Sequence, residues 1–338
     1  MKKIKLNFVD MWVDFDAHDN FFTRILSKRF EVEISPNPDF VICSVFGSDF
    51  KKYTCPRIIF IGENIVPNFN AYDYALSFEF LEYGDRHLRL PLYYMYLDNY
   101  IHEGRKFDRK ITPEDAKRKF CNFVYSNNLQ ADPIRQEFFH QLSKYKQVDS
   151  GGRFLNNIGG AIKDKLEFQK KYKFSIAFEN STHPGYTTEK ILDAFLSKTI
   201  PIYWGSSLVG RDFNKDAFID VNDYDSIDEV IKVIMELDND DEKYLQKLSL
   251  PYLNNEKFCE NLNDDKILDF FENIFSNPHI YHKDSLPNRD ENGHYGKVPF
   301  SIRMLSAMIP IKSMRHRFRN YLIDRDKIKK YQKFIKKD

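Results

Sequence analysis

The α/β character of this chain is clearest in the sequence KFSIAFENSTHPGYTTEKILDAFLSKTIPIYWG, residues 173–205. The apolar run from Phe174 to Phe178 predicts a buried strand, and the run from Ile200 to Tyr203 predicts another. Between them, apolar residues recur at helical spacing from Thr188 to Ser197. A strand, a crossover helix and a further strand form the βαβ unit of a parallel sheet. The stretch therefore favours an α/β fold.

The same alternation extends in both directions along the chain. Before the stretch, the alternation of charged and apolar residues from Lys3 to Val9 and the apolar run from Arg57 to Ile61 predict strands. After it, Ile227 to Leu237 and Asp264 to Phe275 predict amphipathic helices. The segment from Leu92 to Ala116 is polar and aromatic without a clean period, so we expect the chain to cross between domains there.

Two consecutive α/β halves predict two Rossmann-like domains that face each other across a cleft. The expected division places an N-terminal domain at residues 1–115 and a second domain at residues 116–280. A connector rich in Pro and Gly follows at residues 281–300. Residues 301–338 are expected to form a basic amphipathic helical tail.

Composition excludes several classes of protein. The chain has 338 residues, of which 42% are hydrophobic and 30% are charged, so it is not wholly disordered. Phe and Tyr, at 31 and 20, outnumber Gly and Pro, at 13 and 14, which argues against collagen-like and low-complexity chains. The N-terminus has no apolar run of signal-peptide length, and no stretch reaches the roughly 18 apolar residues of a membrane span. Four scattered cysteines suggest free thiols in a reducing compartment, so we expect a cytoplasmic protein.

The charge of the chain is balanced overall but not along its length. Residues 311–338 hold 11 Lys and Arg against 3 Asp and Glu, while the whole chain holds 51 against 50. Apolar residues recur at helical spacing within this segment, from Phe318 to Ile335. The pattern predicts a helix that lies on the anionic inner face of the cytoplasmic membrane. A solvated basic helix that docks on the acidic body is the alternative, and composition alone does not separate the two.

A first candidate site follows the strand that ends at Phe178. The polar residues Glu179, Asn180 and Ser181 come directly after it, and the next helix begins near Thr187 and Thr188. The N-terminus of such a helix binds phosphate through its free N–H groups and its dipole.

Two charged residues occupy the first turn of this predicted helix. Lys190 would add a full positive charge to a phosphate site, and Glu189 could accept hydrogen bonds from a ribose diol. An ordinary capped turn with a solvated Lys190 is the alternative. Against it, a cation in the first turn opposes the helix dipole and needs an anion nearby.

A second candidate is Glu63, which follows the strand predicted from Arg57 to Ile61. A carboxylate at the carboxyl end of a parallel strand faces the expected cleft. It could act as a general base on a hydroxyl group if burial raises its pKa. The alternative is a turn glutamate beside a local Asx turn at Asn64.

A third candidate is Arg135, in the first turn of the helix expected from Asp132. Its guanidinium could hold a diphosphate through two parallel hydrogen bonds. The alternative is a surface arginine that pairs with Glu137 or Asp132.

Signals for other chemistries are weak. The Asp-x-Asp triplets are no more frequent than an Asp-rich chain would give, and His279 and His282 have no cysteine nearby. There is no nucleophile elbow, no Walker loop and no RNA-binding aromatic motif. We therefore expect no metal site and no nucleic-acid partner.

Together these motifs resemble a known family. FENSTHPGYTTEKILDAFLSKTIPIYWG, residues 178–205, closely resembles the signature of the α1,3/4-fucosyltransferases of glycosyltransferase family 10. FIGENIVPNFNAYDYALSFE (residues 60–79), DRHLRLPLYY (residues 85–94) and FVYSNNLQADPIRQEFFHQL (residues 123–142) resemble bacterial members. The resemblance covers roughly residues 1 to 280, with its motifs in the family's order.

The resemblance implies a GT-B fold, with the acceptor on the first domain and the sugar nucleotide on the second. It implies that Glu63 is the general base, and that Arg135 and Lys190 are catalytic as well. The positions that match those holding GDP-fucose in the family are Arg135, Asn180, Tyr186, Glu189 and Lys190, with Ser126 and Gly151 on the nucleotide side.

The reaction implied is the transfer of L-fucose from GDP-β-L-fucose to the 3-hydroxyl of GlcNAc, with inversion of the anomeric centre. The acceptor would be a Galβ1,4GlcNAc-type glycan, as in lipopolysaccharide or oligosaccharide fucosylation. The loops near residues 11–19 and 93–104 match the family least, so the choice between type 1 and type 2 chains stays open. No cofactor would be required, and whether a divalent ion stimulates the reaction also stays open.

The expected partners are GDP-fucose, an N-acetyllactosamine-type acceptor, an anionic membrane surface and a second copy of the chain. Two alternatives to the family's reaction remain at this point. One is a GT-B enzyme that uses another nucleotide sugar. The other is a non-catalytic, membrane-associated protein that binds a GDP-sugar.

Overall fold

The computed structural model describes residues 1–107, 110–126, 128, 131–254 and 262–282. The predicted tail lies outside these residues, as does the predicted connector apart from its first two residues. Within the described residues, no helix is both long enough and apolar enough to span a bilayer.

The first half of the chain forms a parallel sheet of six strands, in the order β2-β1-β3-β4-β5-β6 among the described residues. An apolar and aromatic core lies between this sheet and the helices that cover one of its faces. The elements of this half are Lys2–Val9 (β1), Phe21–Leu26 (α1), Phe30–Ile34 (β2), Phe40–Cys43 (β3), Arg57–Ile61 (β4), Tyr74–Ser77 (β5), His87–Arg89 (β6) and Leu92–His102 (α2).

The second half forms a parallel sheet of five strands, in the order β11-β10-β9-β7-β8 over the residues described. Its strands and helices are Lys119–Phe123 (β7), Ile134–Tyr145 (α3), Val148–Ser150 (β8), Lys165–Gln169 (α4), Tyr172–Phe178 (β9), Glu189–Leu196 (α5), Ile200–Trp204 (β10), Ile219–Asp220 (β11), Ile227–Asn239 (α6), Asp241–Ser249 (α7) and Asp264–Ser276 (α8).

The βαβ unit predicted within residues 173–205 is confirmed. β9 and β10 are parallel neighbours, with Phe174 opposite Ile200 and Phe178 opposite Trp204. Every residue of β9 is buried, as a central strand covered on both faces requires. The α/β fold class therefore holds in both halves of the chain.

The segment from Leu92 to Ala116, where we expect the chain to cross between domains, contains a helix that its sequence pattern did not reveal, α2 at Leu92–His102. Aromatic residues lie all around this helix, which conceals its period. Tyr93 and Met95 are buried, whereas Tyr96 and Ile101 are exposed. The side chain of Tyr93 packs into an apolar cluster with Phe195 and Phe213 of the second half, so α2 connects the two sheets.

The last described helix, α8, returns to the first sheet. Its apolar face includes Ile267 and Phe271, which join the core of the first half. The ring of Phe275 packs 5.2 Å from that of Phe30 and 4.7 Å from that of Phe40. The helix falls within residues 116–280, which were assigned to the second domain, yet it packs on the first sheet. The domain division itself stays a prediction.

Candidate active site

Glu179 organises the loop between β9 and α5. Its side chain is fully buried, and its carboxylate accepts hydrogen bonds from the backbone N–H of Thr188 at 2.8 Å and from the Thr188 hydroxyl at 2.7 Å. Gly205 makes room for it, because a Cβ there would lie 2.5 Å from Cγ of Glu179. Thr188 occupies the N-cap position of α5, but its hydroxyl donates to Glu179 and does not cap the helix.

Lys190 has the anionic partner that its place in the first turn of α5 requires. Its Nζ lies 3.1 Å from a carboxylate oxygen of Glu179, 2.8 Å from the hydroxyl of Thr188 and 3.6 Å from a carboxylate oxygen of Glu189. Burial disfavours its charge, but Glu179 and Glu189 outweigh burial and raise the pKa of Lys190 well above its usual value. The side chain is only 15% exposed, which contradicts the solvated lysine of the alternative.

Arg135 is buried beneath the same loop. Its guanidinium donates to the backbone oxygen of Phe178 at 3.1 Å and to Oδ1 of Asn180 at 2.7 Å, and it lies 4.1 Å from the ring centre of Tyr125. Its Nε is buried without a hydrogen-bond partner among the described residues. Because Arg135 is buried, the alternative of a surface arginine is wrong. The carboxylate of Asp132 accepts a hydrogen bond from the backbone N–H of Ile134.

Tyr186 extends from the second half of the chain into the first. The loop turns at Gly185, where φ is +90° and a Cβ would lie 2.8 Å from the backbone oxygen of Phe78. The ring of Tyr186 is buried 5.1 Å from that of Phe78, in a cluster that includes Ile59 and Ile61. The loop that carries the candidate donor-side residues is thus held against the first sheet.

Glu63 lies directly after β4, at the carboxyl end of the first sheet. Its neighbour Asn64 donates a 2.7 Å hydrogen bond to the hydroxyl of Ser181, which follows Asn180 on the other side of the cleft. The amide of Asn64 therefore bridges the two halves, where the alternative expected a local Asx turn. Glu63 itself is exposed, so the burial on which the base prediction depended is not found.

The charge of Glu63 reaches the residues of the second half. Burial is the main cause of the raised pKa of Tyr186, and Glu179 and Glu63 add to it, while Lys190 opposes it. The pKa of Tyr96 on α2 is raised first by Glu189 and by burial, and Glu63 contributes there as well. Both tyrosines thus lie within the electrostatic range of carboxylates from both halves.

Ser126 and Gly151 are less informative. Ser126 is exposed beyond the end of β7. Gly151 is buried after β8, where a Cβ would lie 2.8 Å from a methyl group of Ile162 and 2.9 Å from the ring of Phe168. Packing alone accounts for this glycine, and the nucleotide role of both residues stays a prediction.

Sequence reasoning missed a polar network behind Glu189. Asp193, one turn further along α5, accepts a 2.6 Å hydrogen bond from Nζ of Lys165 and a 2.8 Å hydrogen bond from the hydroxyl of Tyr100 on α2. Burial disfavours ionisation of Glu189, but Lys190 and Lys165 outweigh it and lower the pKa of this carboxyl. The spacing of four residues between Glu189 and Asp193 places both on one helix face, a signal available in the sequence.

No group of three or more His, Cys, Asp or Glu side chains close enough to hold a metal ion occurs within the described ranges. The charged groups that converge at the cleft are instead two cations, Arg135 and Lys190, with the carboxylates Glu179 and Glu189. Oxygen-rich clusters suit Mg²⁺, whereas converging cations suit anions such as a diphosphate.

Comparison with known proteins agrees with this arrangement. Residues 6–96 match the alpha-(1,3)-fucosyltransferase FucT N-terminal domain, and residues 114–250 match the glycosyltransferase family 10 (fucosyltransferase) C-terminal domain. An alpha-(1,3)-fucosyltransferase FucT from Helicobacter pylori is 37% identical over 299 residues, which are 76% of this chain and 62% of that protein. The human 4-galactosyl-N-acetylglucosaminide 3-alpha-L-fucosyltransferase 9 is 32% identical over 134 residues, covering 38% of this chain and 36% of the relative.

Solved structures give the same result. A crystal structure of an alpha1,3-fucosyltransferase superposes with a TM-score of 0.76 at 33% identity, covering 85% of this chain and 93% of the other. A structure of an alpha1,3-fucosyltransferase with GDP-fucose gives 0.74 at 33% identity, covering 84% and 94%.

The fold and the site define a two-domain α/β protein whose sheets meet at a charged cleft. The chain belongs to glycosyltransferase family 10, the fucosyltransferases. The predicted family and its GT-B architecture are thereby confirmed. The chain spans 62% of the length of the curated Helicobacter pylori relative.

Proposed function

We propose that this protein transfers L-fucose from GDP-fucose to the 3-hydroxyl of GlcNAc in N-acetyllactosamine-type glycans, with inversion of the anomeric centre. Family membership and the likeness to a fucosyltransferase structure with GDP-fucose support the donor. The observation that carries the proposal is the hydrogen bond from Asn64 to Ser181. It joins the loop that carries Glu63 to the loop between β9 and α5, which carries Asn180 and leads to Lys190.

The cations of the second half would hold the leaving diphosphate. An inverting displacement needs a base on one side of the sugar and a stabilised leaving group on the other. Negative charge develops on the diphosphate as the bond to fucose breaks. The buried Nε–H of Arg135 and the ammonium of Lys190 can stabilise that charge, together with the N-terminus of α5. Asn180 orients Arg135 through its 2.7 Å hydrogen bond.

Glu63 would accept the proton of the acceptor hydroxyl. Its exposed carboxylate is accessible to a glycan that enters from the first sheet. A bound acceptor would cover Glu63 and exclude water, and desolvation makes a carboxylate more basic. In this proposal Tyr186 and Glu189 contact the sugar nucleotide between the two halves, and Ser126 and Gly151 contact its nucleotide part.

We also propose that the reaction requires no bound metal, because Arg135 and Lys190 supply the positive charge that a divalent ion would otherwise bring.

The basic segment at residues 311–338 supports a peripheral position of the protein on the inner face of the cytoplasmic membrane. Pelleting of the full chain with anionic vesicles, but not with neutral ones, would be the expected result. We also propose that two copies of the chain form a homodimer. Mass photometry of the full chain would test this.

The first experiment combines the purified protein, EDTA, GDP-fucose and N-acetyllactosamine, and follows GDP release and product mass. A fucosylated trisaccharide is expected from the wild type. Glu63→Gln keeps the shape of the side chain but removes the base, so kcat should fall by about 10²- to 10⁴-fold. Glu31→Gln, at an exposed position of the edge strand β2, is the matched control and should retain full activity.

Other outcomes would favour the alternatives. Binding of GDP-fucose with no product from type 1 or type 2 acceptors would favour a non-catalytic GDP-sugar-binding protein. Turnover of a different nucleotide sugar, with none of GDP-fucose, would favour a GT-B enzyme of another specificity. Product that disappears with EDTA and returns with Mg²⁺ would contradict the metal-independent part of the proposal.

A further inference from the structure

Large apolar side chains are exposed at the carboxyl edge of the first sheet. Trp12 is 37% exposed, Val13 85%, Phe46 53% and Val66 48%. They follow β1, β3 and β4, which are neighbours in the sheet, so their loops share one edge. These four residues are called the apolar rim below. Ligands of parallel α/β sheets bind at this edge, outside the carboxyl ends of the strands.

The loops of the apolar rim are tied together. The Asp10 carboxylate accepts hydrogen bonds from the backbone N–H groups of Asp49 and Phe50, each at 2.8 Å. The backbone oxygen of Asp10 accepts a 3.1 Å hydrogen bond from the N–H of Phe46. Asp10 and Asp14, on either side of Trp12 and Val13, have φ angles of +56° and +65°. Residues other than glycine seldom adopt this left-handed conformation, and it persists where the surrounding structure enforces it.

The indole of Trp12 is held in a fixed orientation by two aromatic contacts, one of them with the strand that leads to Glu63. It packs edge-on against Phe15, with ring centres 5.0 Å apart, and against Phe60, with ring centres 6.5 Å apart. Phe60 lies in β4, three residues before Glu63. Trp12 therefore packs on the strand that leads to Glu63, so a glycan whose reacting unit contacts Glu63 can extend along this edge toward Trp12.

We propose that the apolar rim is the binding surface for the acceptor glycan, in which a pyranose ring next to the reacting unit stacks on the indole of Trp12. Phe46 and Val66 contact the same glycan from the neighbouring loops. This assignment rests on the proposed function, because it takes the position of Glu63 as the place where the acceptor hydroxyl reacts.

The chemistry of both surfaces fits this assignment. One face of a pyranose carries C–H groups of partial positive charge, whereas the face of an aromatic ring is negative. The hydroxyl groups at the edge of the sugar remain in water, as the exposure of Val13 and Phe46 allows. Stacking requires a rigid aromatic ring, and the contacts of Trp12 with Phe15 and Phe60 provide it.

The binding test uses the intrinsic fluorescence of Trp12. The chain contains two tryptophans, Trp12 and Trp204, so Trp204→Phe leaves Trp12 as the only tryptophan emitter. Titration of this full-length variant with N-acetyllactosamine, without any donor, should give a saturable change in emission. Sucrose at the same concentrations should give none. A flat titration with both type 1 and type 2 disaccharides would overturn the proposal.

The kinetic test uses the wild-type background. Trp12→Ala should raise the KM for the acceptor about tenfold and leave the KM for GDP-fucose unchanged, because one aromatic contact is lost on the acceptor side. The matched control is Tyr281→Ala, since Tyr281 is 39% exposed and lies beside Asp73, just before the amino end of β5. An unchanged acceptor KM in Trp12→Ala would also overturn the proposal.

The two tests separate failure of the rim from failure of the proposed function. If GDP-fucose is not a substrate, the fluorescence titration still reports whether β-linked disaccharides bind at Trp12. If fucosyl transfer occurs but neither Trp12 fluorescence nor the acceptor KM responds, the rim assignment alone is wrong.

Discussion

Lys190 illustrates how a single residue combines a structural and a chemical role. Its position in the first turn of α5 could be predicted from the sequence, and so could its need for an anion. The partner could not be predicted, because Glu179 lies eleven residues earlier and approaches only through the fold of the loop. Glu179 and Thr188 occupy two of the three donors of the ammonium. An incoming phosphate would therefore meet a lysine that is already oriented.

We expect Lys190→Ala to reduce transition-state stabilisation by about 2–4 kcal/mol, as for removal of one oxyanion donor. The measurement is kcat/KM for GDP-fucose. Lys170→Ala is the control, because Lys170 is remote from the loop and pairs with Glu167. Unchanged kcat/KM in Lys190→Ala would contradict the role of this residue at the leaving group.

Arg135 shows where local sequence reasoning has too little information. The pattern Asp132-Pro133-Ile134-Arg135 fits a surface ion pair as well as a buried guanidinium. The structure shows a buried guanidinium. Its hydrogen bonds go to the backbone oxygen of Phe178, at the end of β9, and to the side chain of Asn180, two residues later. Such partners are distant in the chain, so the local pattern could name Arg135 as a candidate but could not decide between the two environments.

At the scale of elements, the helices α2 and α5 connect the two halves through one carboxylate. Asp193 on α5 receives the hydroxyl of Tyr100 from α2 and the ammonium of Lys165 from α4. Burial raises the pKa of Asp193, and Glu189 raises it further, while Lys165 opposes both. Sequence periodicity did not reveal α2, since its aromatic residues face both the core and the cleft. The contact between α2 and α5 was therefore beyond prediction.

We expect Lys165→Met to shift the pH dependence of donor binding. The groups that interact electrostatically with Glu189 are Lys190 and Asp193 on α5, Tyr186 in the loop before α5, Lys165 on α4, and Tyr96 and Tyr100 on α2. Lys165 favours the ionised carboxylate, so its loss raises the pKa of Glu189. As the solution is acidified, donor binding that depends on the ionised carboxylate should therefore begin to weaken at a higher pH in the variant than in the wild type.

Calorimetric titration of GDP-fucose across the acidic range would measure this shift. Lys163→Met serves as the control, because Lys163 is exposed two residues away in the same segment. If both variants follow the wild-type profile, Lys165 does not act on Glu189.

At the scale of the whole molecule, a buried ion pair joins the halves at a second place. Both terminal nitrogens of Arg89 on β6 lie 2.8 Å from the carboxylate oxygens of Asp212. The ring of Phe80 is sandwiched between the guanidinium groups of Arg89 and Arg211, at 3.8 Å and 3.9 Å from its centre. The GT-B arrangement was predictable from order and resemblance, but this contact depends on how the sheets face each other.

We expect Arg89→Leu to lower the free energy of unfolding by about 3–5 kcal/mol, because the charge of Asp212 would stay buried without its main partner. The double variant Arg89→Leu with Asp212→Asn should recover part of that loss. Urea denaturation followed by circular dichroism measures both. Strictly additive effects of the two substitutions would show that the pair is not coupled.

The return of α8 to the first sheet determines where this chain can be cut. The family match ends at residue 250, which is a natural place to shorten the protein for expression. A fragment that ends there lacks the helix whose Phe271 and Phe275 cover Phe30 and Phe40. It would keep every candidate site residue, yet it would expose the aromatic face of the first half that α8 covers and invite aggregation. Boundaries for a recombinant fragment should therefore follow this packing and extend beyond Ser276, whatever the extent of sequence similarity.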